Sequence, residues 1–371
     1  MKLSDMRRLL EAGNIRLTKS LGQNFLHDGN QLRRMVGAAE LTRADKVLEV
    51  GPGLGPLTER LVAEAGEVWA IEKDSRLVEF LRQHFADALN ACRQESEVSA
   101  RSLSKRPLTP PLSPSDGERV VGPSPLTPSL SPSDGERVVG PSPLAPSLSP
   151  SDGERVVEDR VRGCSGPTSL KPSASPARKP VLQLIHADAL KFLRDGPHDW
   201  RDWKLVANLP YSVASPILVE LAQAARPPER MVVTVQLEVA QRLTAGADAK
   251  DYGILTLLIQ LRYTAHGGFK IPASCFFPAP KVDSACVKLL RRSEPLLDPA
   301  GAATFTRIVK RSFSQRRKMM LKLLKEDWPA EALRSGFAEA GLSDSTRAES
   351  VRLDQFVTLT RCLAPGGDAQ A

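Results

Sequence analysis

Lys46-Val47-Leu48-Glu49-Val50 runs without a break into Gly51-Pro52-Gly53-Leu54-Gly55. Few features restrict a fold more. The first five residues read as a short buried strand, and three glycines in five positions read as a turn needing backbone freedom that other residues lack. Helical spacing follows over residues 56–65. A second strand, Glu67-Val68-Trp69-Ala70-Ile71, then ends in Glu72. Strand, glycine turn, helix and strand make the opening of a doubly wound α/β sheet. There the turn lets a ligand approach the backbone, beside the free N–H groups of a helix start. The spacing is G-x-G-x-G, which departs from the G-x-G-x-x-G of a dinucleotide site. An acid closing the second strand is placed to accept from two ribose hydroxyls. Turn and acid together imply a cofactor that carries a nucleoside.

The alternation continues with a helix over residues 74–91 and then breaks. Residues 93–180 hold no Phe, Trp or Tyr but 16 of the chain's 30 prolines. Ser-Pro-Ser-Asp-Gly-Glu-Arg-Val-Val recurs at Ser113, Ser131 and Ser149, a period of 18. Each copy offers a Val pair and a leucine or two to bury, too little to offset the entropy of ordering the chain. The segment reads as a disordered insertion in a surface loop. Sheet patterning resumes at Val181-Leu182-Gln183-Leu184-Ile185-His186, followed closely by Asp188. That Asp is placed either to accept from an adenine amine or to cap the next helix.

A fourth strand, residues 204–207, ends in Asn208-Leu209-Pro210-Tyr211. This quartet suits a flat ring presented edge-on by its exocyclic amine. The Asn carbonyl accepts one amine hydrogen, a backbone carbonyl beside the Pro accepts the other, and the Tyr stacks on the ring. Gly51, Glu72, Asp188 and Asn208 all fall at strand C-terminal ends, where open α/β sheets bind their ligands. Three more segments bear on the site. Leu21-Gly22-Gln23-Asn24-Phe25-Leu26 is either a connector plugged into the core or a lid whose polar pair faces a ligand. Helical spacing covers residues 215–225 and 251–262, and residues 268–271 and 283–290 form a closing hairpin. Between those strands, Phe276 and Phe277 are either core plugs or a stacking wall for a flipped base.

From about residue 294 only helical patterns remain. Residues 307–325 carry eight basic side chains, Arg316, Arg317 and Lys318 among them, and no acidic one, which points to phosphate contact. The whole chain leans the same way, at +8 with a pI near 9.3. Its five cysteines are scattered, with no CxxC, so neither disulfides nor a metal site is expected. No apolar run reaches membrane-spanning length, and the expected location is the cytoplasm.

The blocks LGQNFLHD, VLEVGPGLGPLT, IEKD, HADAL, NLPYSVASPIL, QLEVAQRL, FFPAPKVDSA and SFSQRRKMM span nearly all of the chain outside the insertion. They resemble the ribosomal RNA adenine N6-dimethyltransferases, most closely the bacterial small-subunit (kasugamycin-resistance) branch, to which the QRRK helix points. The resemblance implies a class I, Rossmann-like, seven-stranded methyltransferase sheet over residues 1–92 and 181–292. A small all-helical RNA-binding domain, residues 293–371, would follow it. It implies S-adenosylmethionine as cofactor, with Asn24 and Leu26 closing over it, Gly51 at the turn, Glu72 on the ribose, Asp188 on the adenine and Asn208 near the methyl donor. Asn208, Pro210 and Tyr211 would be catalytic. The substrate would be two adjacent adenines in the 3′-terminal hairpin loop of 16S RNA in an immature small subunit, met by a monomer. Two departures stand out: the insertion is foreign to the family, and the loop has two adjacent phenylalanines where one aromatic is usual. The alternatives are a non-catalytic assembly relative and action on 23S RNA. Leu209 argues against DNA enzymes, which carry Asn/Asp-Pro-Pro-Tyr.

Overall fold

The computed structural model describes residues 3–12, 23–89, 180–196, 198–315 and 317–364. The repeat insertion, Arg316 and the tail after residue 364 lie outside the described residues. All described residues fall in one compact unit that the chain enters twice, over Met1–Ser104 and Ala177–Ala371.

Seven strands form the main sheet: β2 (Lys46–Val50), β3 (Glu67–Glu72), β4 (Val181–His186), β5 (Trp203–Asn208), β6 (Arg230–Gln236), β7 (Tyr263–Ile271) and β9 (Ser284–Arg291). Their order is β4-β3-β2-β5-β6-β9-β7. β2 to β6 run parallel, and β9 enters antiparallel between β6 and β7. Two short strands, β1 (Phe25–Leu26) and β8 (Phe276–Phe277), pair separately, with Phe25 opposite Phe277 and Leu26 opposite Phe276. The GQNFL block and the double-phenylalanine loop are therefore partners. Each reads as a loop in the sequence because two-residue strands have no period to detect.

Alternating residues send β5 into two cores, as the strand period requires. Leu205 and Ala207 join Leu48, Val50 and Met231 against α6 (Ala214–Gln223). Val206 joins Val47, Val68 and Val232 against α2 (Gly29–Ala39) and α3 (Thr58–Glu64). With both faces covered, the strand sequence is a continuous apolar run. Helix α1 (Leu3–Ala12) lays Met6 and Leu10 on Phe25, Leu54 and Leu77, above the glycine turn.

α4 (Ser75–His84) and α5 (Ala189–Arg194) flank the place where the chain leaves and re-enters the sheet. After β6 come α7 (Leu237–Thr244) and α8 (Ile254–Gln260). Leu257 and Leu258 of α8 leave the sheet layer and enter a further core built by α9 (Pro299–Ser312), α10 (Met320–Leu324), α11 (Ala330–Glu339) and α12 (Leu353–Leu363). Among the described residues, no helix is long and apolar enough to cross a membrane.

Two expectations need correction. The closing hairpin begins at Tyr263, not at Gly268. Gly267-Gly268 reads as a strand end, but the register shifts there and the strand continues on both sides. A side chain at Gly268 would lie 2.7 Å from the Cys286 carbonyl, so glycine permits the close approach. Second, Gln315, Arg317 and Lys318 of the QRRK segment are not helical. α9 stops at Ser312, where Phe313 packs against Tyr252 and Phe356, and Met320 enters the same core.

Candidate active site

β2 and β5 are neighbours, but their pairing ends at Leu48 opposite Leu205. Beyond that point the two strands part, each still paired to its outer neighbour, and strand order reverses between them. A crevice at such a switch point is the expected ligand site of an open α/β sheet. Its lining includes Asn24, Gly51, Glu72, Asp188, Asn208, Pro210 and Tyr211, so seven of the residues singled out from sequence converge there.

The glycine turn forms the floor. Gly51, Gly53 and Gly55 have φ of 71°, 63° and 83°, the left-handed region that glycine occupies freely. A Cβ on Gly53 would lie 2.5 Å from the Phe25 ring, and one on Gly51 would lie 3.2 Å from Pro210. Turn, N-terminal segment and Asn208 quartet are thus in direct contact. Glu72 is buried at the end of β3. Its Oε1 accepts from the Lys73 and Asp74 amides at 2.8 and 2.9 Å, and its Oε2 from Gly53 at 3.2 Å. A carboxylate has about four acceptor positions, so one remains on Oε2, not the pair expected for two hydroxyls. Burial raises its pKa above the usual carboxylate range, against those three donors.

Asp188 takes the helix-capping role and also lines the crevice. It caps α5 through the Lys191 amide at 3.1 Å, and Lys73 reaches its other oxygen at 2.8 Å. That contact and the Lys191 amide hold its pKa below the ordinary value.

Asn208 is the most informative side chain. Its Nδ2 donates to the Asn24 carbonyl at 2.9 Å, which fixes the orientation of the amide. Its Oδ1 is buried and has no partner among the described residues. Buried polar atoms are rarely left so, and this one is an acceptor short of a donor in a ligand cleft. The Pro210 carbonyl accepts from the Val213 amide at 3.1 Å, which leaves it one lone pair. Tyr211 Oη lies 2.6 Å from Ser284 Oγ, and burial raises the phenol pKa, so the ring is neutral and tethered.

Other expected site residues do not line this crevice, though Leu26 lines a smaller cavity beside it with Gly51 and Asn208. Leu26 and Phe276 are core side chains, 2% and 3% exposed. A ring so enclosed offers no face to a base, so Phe276 does not take the stacking role. Phe277 is half-buried, with the Arg7 guanidinium 5.3 Å above its ring. Arg317 and Lys318 are exposed in the turn after α9. Two members of the basic run have internal duties: Arg311 pairs with Glu326 and Asp327, and Arg307 lies over Trp328. Sequence reasoning missed Ser284 and the tie from Gln23 to Asp74, made at 3.2 Å. Both are long-range hydrogen bonds with no local pattern.

The model of the family described as ribosomal RNA adenine dimethylase matches residues 14–95 and 168–364. The chain belongs to that family. Its reaction is therefore adenine dimethylation in ribosomal RNA, with S-adenosylmethionine as methyl donor. Similar curated members include the ribosomal RNA small subunit methyltransferase A of Latilactobacillus sakei, 29% identical over 96% of this chain and 93% of that one. The protein of the same name from Geobacter sulfurreducens is 28% identical over 96% and 99%. Among solved structures, the 23S rRNA methyltransferase ErmE superposes with a TM-score of 0.54 at 22% identity, over 92% of this chain and 99% of that one. A dimethyladenosine transferase from Plasmodium falciparum gives 0.53 at 18%, over 90% and 95%. These likenesses establish the class I methyltransferase fold for this dimethylase. The crevice suits the family's cofactor: a glycine turn whose left-handed backbone and close contacts leave no room for side chains, an acid with one open acceptor and an unpartnered buried carbonyl.

Proposed function

We propose that this dimethylase acts on 16S RNA in the immature small subunit, at two adjacent adenines of the 3′-terminal hairpin loop, as a cytoplasmic monomer. The similar curated proteins described above carry small-subunit names, and the exposed Arg317 and Lys318 supply charge for the RNA backbone. The single observation behind the chemistry is the bare, buried Asn208 Oδ1.

Asn24, Gly51, Glu72 and Asp188 hold the cofactor, Glu72 through its remaining Oε2 position. S-adenosylmethionine, when bound, supplies a methyl group on a positively charged sulfur. An adenine amine is a poor nucleophile because its lone pair is delocalised into the ring. Asn208 Oδ1 accepts one amine hydrogen and the remaining Pro210 lone pair the other. Both bonds favour a tetrahedral nitrogen and stabilise the positive charge that develops on it. The Tyr211 ring, tethered by Ser284, stacks on the base, and Phe277 is the remaining candidate for a second wall. Positioning supplies most of the rest. No base of shifted pKa is required, since the amine proton turns acidic only as the nitrogen gains charge.

The test is transfer of labelled methyl to small subunits from a strain lacking the enzyme, mapped by a primer-extension stop. Two dimethylated adenines near the 16S 3′ end are expected. Transfer to 23S RNA alone would overturn the substrate assignment.

A further inference from the structure

Five arginines meet at the edge of the sheet opposite the crevice. Arg201 precedes β5, Arg226 precedes β6 and Arg262 precedes β7. Arg291 ends β9 and Arg292 follows it; because β9 is antiparallel, its end lies beside the other strands' beginnings. All five line one cavity of about 230 Å³, and no acidic residue lines it.

The cavity is held in shape with most of its charge left uncompensated. Arg291 Nη1 donates to the carbonyls of Arg201 and Pro227 at 2.9 and 2.5 Å. Arg292 Nε donates to the Gln260 carbonyl at 3.0 Å. Carbonyls fix a guanidinium but leave its positive charge uncompensated. Arg226 has a carboxylate, Asp199 at 2.7 Å, and that pair is half in solvent. Among the described residues, neither Arg201 nor Arg262 has a carboxylate within ion-pairing distance. Burial also lowers the Arg292 pKa from its ordinary value, as expected of a cation whose lost hydration no anion replaces. Several planar guanidinium forks around one opening match the oxygens of a phosphate group.

We propose that this arginine-lined cavity binds a backbone phosphate of the substrate RNA, at a contact separate from the target-base crevice. The inference rests on RNA being the substrate, as set out above. β5 separates the two edges by six residues, about 20 Å at strand rise. A phosphate in the cavity therefore belongs to RNA well outside the target loop. A hairpin carrying only the loop and its closing pairs reaches the crevice alone, whereas a longer RNA reaches both.

The test uses the full chain with Arg201→Gln and Arg262→Gln together. Neither side chain anchors described backbone, and the Arg201 carbonyl that holds Arg291 is kept. Binding to the short hairpin and to an extended 16S 3′ fragment is followed against salt, with melting temperature and cofactor binding as checks on folding. For the extended RNA, the slope of log affinity against log salt is expected to fall by about one, with a several-fold loss of affinity. The short hairpin should bind and be methylated as before. Arg201→Lys with Arg262→Lys keeps the charge and should restore most of the slope, which a merely structural defect would not allow. An unchanged slope on the extended RNA overturns the proposal. So does a cavity that only takes inorganic phosphate, seen as phosphate-dependent stabilisation lost in the variant while RNA binding is untouched. If the parent protein binds neither RNA, the substrate reading itself fails, and that result is distinct because it precedes any substitution.

Discussion

Asn208 is satisfied on one side only. Its Nδ2 is engaged by Asn24 while its Oδ1 stays bare, and a bare buried carbonyl costs a fold about 1–3 kcal/mol. Asn208→Ala removes that cost and the bond to Asn24 together, so the two effects on stability oppose. Melting temperature should move by a few degrees at most, while methyl transfer falls about 100-fold or more. Full activity in a folded Asn208→Ala protein would sink the mechanism. Glu49 poses a different question, because it is buried beneath the crevice with Thr58 Oγ1 2.7 Å from its Oε2. Burial pushes its pKa from 4.5 up to about 8, and the Glu72 carboxylate adds to the rise. A raised carboxyl means that the folded protein keeps a proton which the unfolded chain releases. Stability present below pH 4.5 is therefore lost as pH climbs to about 8, and is constant beyond. Glu49→Gln has no proton to lose. Its melting temperature minus the parent's should widen between pH 4.5 and 8 and then level off; a constant difference would show that Glu49 is not held neutral.

At the scale of elements, the turn between α9 and α10 carries the exposed basic residues, and α10 follows at once. Arg317→Gln with Lys318→Gln should weaken RNA binding and lower its salt slope by about 0.7–0.9 for each phosphate that is no longer neutralised. Cofactor affinity should not change. Here the short hairpin should be affected too, and equal binding before and after charge removal would exclude the turn from the interface. The parallel strands were legible because apolar residues dominate each and a polar or glycine residue closes it. Gly51, Glu72, Asp188 and Asn208 were legible for the same reason, since strand ends locate them without any knowledge of distant contacts. What escaped depends on partners far along the chain. Phe25 and Leu26 become a strand only because Phe277 and Phe276 lie opposite, and Phe276 proves to be core because α2 and β9 close over it. The turn that replaces the expected QRRK helix is set by where Phe313 and Met320 must be buried.

For the whole molecule, the open question is what the long insertion contributes. The family match ends at residue 95 and resumes at 168, so the residues between have no counterpart in the pattern that defines the reaction. The sheet does not require them for its register either. β4 pairs with β3 along its full length, from Val181 opposite Glu67 to His186 opposite Glu72, and Asp188 follows two residues later. The crevice residues thus take their places from strand pairing on each side of the insertion. Removing residues 96–167 shortens the connection from α4 to β4 roughly fourfold. For a connection that only joins its ends, loop-closure entropy favours the shorter loop by about 1.2 kcal/mol. The trimmed protein should melt a few degrees higher, by about 2–4 °C per kcal/mol for a domain of this size. Its kcat and KM for methyl transfer should stay within about threefold of the parent's. A trimmed protein that folds and binds cofactor but no longer methylates small subunits would give the insertion a part in substrate recognition. Comparing its activity on free RNA and on subunits would then show whether that part is played on RNA or on ribosomal protein.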